Sequence, residues 1–177
     1  MWSAPVRRCA RCWPCRQFVR ALSPMDTQTI EILGRNRLVD ELLLVGLEVA
    51  LPVRDRGVDL IAYVELKPKV SSFVAFPIQM KAASTQAFSI DSKYSKIANL
   101  ILAYVWGLQE PEHVVTYAPT FSEAVAVAEA MGWTKTDSWA KGKYSTSAPS
   151  KKLCKLLEPY KMTSDAWWER IAGNTAR

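Results

Sequence analysis

The sequence has a single histidine, His113, and no C-x-x-C pair outside the run Cys9, Cys12, Cys15. That run could place thiolates around zinc or part of an iron–sulfur cluster, with Cys154 as a distant fourth ligand. The surrounding arginines favour thiolates. The missing second pair and missing histidines argue against such a centre, and free cytosolic thiols are expected instead. A disulfide scaffold is not expected in 177 residues with so much apolar sequence. No apolar run reaches the ~20 residues of a bilayer span. The longest, over 97–108, is broken by Asn99 and reads as a core helix. Residues 1–24 contain no apolar stretch of secretory length, and a cytoplasmic location is expected. Internal repeats and low-complexity tracts are absent.

Acids are also missing from residues 1–24, which hold Arg7, Arg8, Arg11, Arg16 and Arg20. The formal charge of +6 comes mostly from them; the remainder balances 18 basic against 17 acidic side chains. This leader is expected to be disordered, or to extend upstream of a shorter protein beginning at Met25. Its arginines weakly suit a transit peptide. Residues 25–177 are expected to form one domain, with 133–177 a basic, aromatic extension. Seven lysines against Asp137 and Glu158 over 133–161 make that segment a candidate polyanion surface. A solvated lysine-rich face is the plainer reading.

What is present is a regular succession of elements. Residues 30–45 carry the helical apolar period, and Gly46 ends it. LEVALPVR reads as a short or edge strand because of its proline. A D-R-G turn precedes a second strand, VDLIAYVE, and KPKVSS leads to a third, FVAFPIQMK. A helix is expected over 92–107, then a strand in HVVTYAP. Thr120 and Glu123 have capping-box spacing before the next helix. Residues 133–160 have loop chemistry with a short helix near 153–157. Ser164 is expected to cap a last helix, DAWWERIA. This order predicts an α/β fold with a mixed sheet between helices.

Polar residues at the ends of the second and third strands suggest a site. If the hairpin turn centres near Lys69, facing residues have numbers summing to about 138. Asp59 then faces Gln79, and Lys81 shares Gln79's side because strand side chains alternate. On the first helix, Glu31 shares the face of Leu38, Leu42 and Arg35 at about 100° per residue. Asp40 points to water and Glu41 lies on the flank. Two acids, an amide and a lysine suit a hard cation such as Mg²⁺, with the Met80 carbonyl as a further oxygen. Lysine would assist an attacking water or stabilise charge on phosphate. Taken singly, Asp59 could bond a loop, Gln79 and Lys81 could face solvent on an edge strand, and Glu31 could favour a helix N-terminus.

At these residues the chain resembles the PD-(D/E)XK nuclease superfamily, particularly its restriction-endonuclease-like and Holliday-junction-resolvase-like members. G-V-D-L-I-A-Y and I-Q-M-K-A carry the resemblance, over roughly 28–118. It implies an αβββαβ core with extra C-terminal helices and Mg²⁺-dependent hydrolysis of phosphodiester bonds, with Mn²⁺ as substitute. Asp59 and Glu31 would be metal acids, Gln79 would take the second acidic position, and Lys81 would be the catalytic lysine. Val58 replaces the usual proline, glutamine replaces a carboxylate, and the helix acid is displaced about one turn from Arg35. DNA is the implied partner, and a homodimer is compatible. Lys141, Lys143, Lys151 and Lys152 are candidate phosphate contacts. A catalytically inactive nucleic-acid-binding or protein-interaction module is the alternative. Trp133, Trp139 and Tyr144 are expected in a small core rather than stacked on bases, with Trp167 and Trp168 docking the last helix.

Overall fold

The computed structural model describes residues 25–54, 56–64 and 73–173. The leader, its three cysteines and the turn at Lys69 lie outside these residues. Helix α1, Thr27–Leu44, begins at Asp26, whose carboxylate accepts from the Thr29 N–H at 2.8 Å. Gly46, at φ 80°, closes it by donating to Leu43 O, while the Leu47 N–H reaches Leu42 O. Glycine accepts this left-handed position without strain.

Strands β1 (Glu48–Ala50), β2 (Leu60–Tyr63) and β3 (Ala75–Ala82) form an antiparallel meander with β1 at the sheet edge. Leu60 faces Ile78 and Tyr63 faces Ala75, the register expected from the hairpin. Strand β5, Ile101–Trp106, pairs parallel to β3, and β6, Val115–Tyr117, pairs antiparallel to β5. A mixed five-stranded sheet results, in the order β1-β2-β3-β5-β6. The outer edge of β6 is covered by the segment around Lys161: Ala118 donates to Tyr160 O and Met162 donates to Thr116 O, both at 2.8 Å.

The helix expected over 92–107 does not form. Only Ser92–Lys96 is helical, as a 3-10 turn, and the apolar run after it becomes β5. Every β5 side chain is buried. Ile101, Ala103 and Val105 enter one core, and Leu102, Tyr104 and Trp106 enter the other. A strand covered on both faces loses the alternation that marks a half-exposed strand. The crossover from β3 to β5 therefore contains strand β4 (Phe88–Asp91) and the 3-10 turn in place of an α-helix.

Helices α1 and α5 (Ser164–Ile171) cover the first core, with Leu38, Leu42, Trp167 and Ile171 buried in it. Gly34 sets the approach of α1: a Cβ there would lie 2.6 Å from the Cβ of Ala82. The second core lies under α2 (Phe121–Ala130), α4 (Lys151–Leu157) and the ribbon of β4 with β7 (Lys143–Thr146). Short α3 is Asp137–Ala140. Residues beyond 133 thus complete both cores. The expected capping box forms, with Thr120 N donating to Glu123 Oε2 at 2.7 Å. Thr163, not Ser164, caps α5, because its hydroxyl accepts from Ala166 N at 3.2 Å. Trp133 stacks on Tyr144 with 4.1 Å between centroids, and both pack with Trp139 against the second core. Trp167 docks as expected, whereas Trp168 is 45% exposed. No described helix is long and apolar enough to cross a membrane.

Candidate functional site

The neighbours of β3 are offset along its length. Pairing with β2 extends to Ile78, while pairing with β5 begins at Ile78. Pro77, without an N–H, thus lies before the β5 ladder starts. From Gln79 onward, β3 has lost its β2 neighbour. Asp59 fills the first vacated position: its Oδ2 accepts from the Met80 N–H at 2.7 Å and from the Gln79 side-chain Nε2. A carboxylate thus does for Met80 what a strand carbonyl would otherwise do.

A cleft of about 330 Å³ opens at this unpaired edge. Glu31, Asp59, Gln79 and Lys81 all line it, together with Ala87 and Ser89 of the β4 segment. The four residues selected from sequence therefore meet in one cavity, though not as equals. Gln79 is 7% exposed and also contacts the Met80 carbonyl at 3.2 Å. Its NH₂ end, rather than its oxygen, faces Asp59. Glu31 is paired with Arg35 at 2.8 Å on the solvent side. Lys81 is half-buried and donates to the Tyr94 hydroxyl at 3.0 Å.

The carboxylates of Asp59 and Glu31 are oxygen donors of the kind a hard cation that retains several waters takes, while the Gln79 amide presents its NH₂ to Asp59. Among the described residues, no group of three or more His, Cys, Asp or Glu side chains could hold a metal, so glutamine and water would have to complete a shell. Cys154 is a half-buried free thiol in α4, and His113 pairs with Glu110 at 3.2 Å, outside the cleft.

The candidate phosphate-binding lysines separate into two groups. Lys141 and Lys143 are exposed at the ribbon end, where the Ser92 N–H donates to Gly142 O at 2.7 Å. Lys151 and Lys152 lie on α4, and Lys152 donates to Ala130 O at 2.7 Å, satisfying a carbonyl at the end of α2. Glu41, placed on the flank of α1, serves structure: it accepts from Arg37, Thr116 and Trp167. Sequence reasoning missed Tyr94 and Lys93, whose only linear signal is an aromatic between lysines in S-K-Y-S-K. No family model, curated protein or solved structure matches this chain.

Proposed function

We propose that this protein is a divalent-cation-dependent nuclease of restriction-endonuclease-like type, hydrolysing phosphodiester bonds in DNA. The observation that carries the proposal is the meeting of Glu31, Asp59, Gln79 and Lys81 in one cleft. In this reading Asp59 and Glu31 would hold Mg²⁺, directly or through water, and Gln79 would join the shell with its amide turned so that the oxygen, not the NH₂, faces the ion. The cation supplies charge neutralisation at the phosphate. Lys81 orients the attacking water or stabilises charge developing on phosphate oxygens. Lys141 and Lys143 contact the backbone of a bound strand. The test is cleavage of plasmid and branched DNA with Mg²⁺ or Mn²⁺. Asp59→Ala and Lys81→Ala should each lower the rate by about 10²-fold or more while circular dichroism stays unchanged. Absence of cleavage of any DNA or RNA by the wild-type protein defeats the proposal.

One observation favours a second reading, a binding module without catalysis. The Gln79 amide donates to Asp59, giving the acid a partner without a cation. Salt-dependent DNA binding that ignores Mg²⁺ and survives Lys81→Ala would support this alternative.

A further inference from the structure

Tyr94 lies within the 3-10 turn between β4 and β5, where sequence spacing offers no catalytic role. Its placement is closely determined. Asp91 caps the turn by accepting from Lys93 N at 3.0 Å, and Ile97 N donates back to Tyr94 O at 3.1 Å. The ring is 3% exposed. On the β2 side it meets Gly57, at φ 90°, where a Cβ would lie 3.3 Å from ring atom Cε1. Gly57 lies two residues before Asp59, so the ring connects the approach to Asp59 with Lys81 on β3.

Two ammonium groups converge on this ring. Lys81 Nζ lies 5.1 Å from its centroid and Lys93 Nζ lies 4.9 Å away. Lys81 also donates to the phenolic oxygen at 3.0 Å. A lysine side chain has four rotatable bonds, and its ammonium otherwise samples many positions. The hydroxyl fixes where that ammonium sits, since Nζ lies out beyond the phenolic oxygen and the hydrogen bond is what holds it there. We propose that Tyr94 is the positioning residue of Lys81, holding its ammonium at the cleft. As a contribution to the reaction, this role rests on the nuclease reading above.

Tyr94→Phe removes the hydroxyl and keeps the ring. Two measurements on the full chain test the proposal. The first follows the side-chain NMR signal of Lys81 in protein labelled at lysine, assigned by its loss in Lys81→Arg. The second measures plasmid cleavage with Mg²⁺ as separate kcat and KM. The expected result is a displaced Lys81 signal and a kcat lowered about tenfold, with KM within about twofold. An unchanged Lys81 signal overturns the proposal whether or not the protein cleaves DNA. A displaced signal with unchanged kcat in an active enzyme overturns it too. A displaced signal in a wild-type protein that cleaves nothing supports the positioning contact and removes the nuclease reading instead. Thermal melting of the variant, which keeps the buried ring, identifies any loss of fold.

Discussion

Gln79 is where the chemistry of the cleft is most open to change. Its amide joins Asp59 through a hydrogen bond that a second carboxylate could not make without a shared proton or a cation. Gln79→Glu should therefore lower the melting temperature in chelator, through ~1–3 kcal/mol of lost hydrogen bonding and added repulsion. Magnesium should restore much of it, because a carboxylate added beside Asp59 and Glu31 strengthens the hold on a hard cation. A melting temperature indifferent to Mg²⁺ in this variant would count against a cation site at Asp59. The pairing of Asp59 with Gln79 could be read from sequence because a hairpin couples register to its turn, and alternation assigns the faces. Tyr94 could not be read in this way. Its contact with Lys81 depends on a short 3-10 turn brought in by a crossover, and neither element leaves a period in the sequence.

At the scale of elements, the distance between α1 and β3 governs the fit of the first core. Glycine inside a helix costs about 1 kcal/mol relative to alanine, yet Gly34 lies against Ala82 with no room for a methyl group. Gly34→Ala should destabilise the protein by ~1–3 kcal/mol through overpacking, despite the gain in helix propensity. Ala82→Gly in the same chain should recover part of the loss. Urea denaturation of the single and double variants measures this coupling, and simple additivity would show that the contact is not limiting. Capping chemistry made α2 legible, since Thr120 and Glu123 show their spacing directly. Strand β5 was misread because both of its faces are buried, and a short apolar run then fits a core helix equally well.

At the scale of the whole molecule, the two layers of helices are linked through α5. Trp167 and Ile171 fill the first core, while Arg170 pairs with Glu123 at the start of α2 at 2.6 Å. Burial pushes the Glu123 carboxyl up, but the Thr120 N–H and hydroxyl and the Arg170 guanidinium outweigh it and hold it below its usual value of 4.5. A depressed carboxyl contributes stability above its unfolded value, and that contribution fades as pH falls through the folded value. Glu123→Gln should therefore reduce stability at neutral pH and weaken its loss below about pH 4.5. Denaturation midpoints at pH 7 and pH 3 check this, with a converging difference expected at the lower pH.

The indole of Trp167 also donates to Glu41 of α1 at 3.1 Å, so the last described helix closes on the first. During synthesis, α1 and the β-meander leave the ribosome long before α5 does. Until Trp167 and Ile171 arrive, Leu38 and Leu42 lack part of their final cover. The nascent chain thus carries an incomplete apolar face until α5 emerges, a period in which chaperones can bind it and a stalled chain is prone to aggregate.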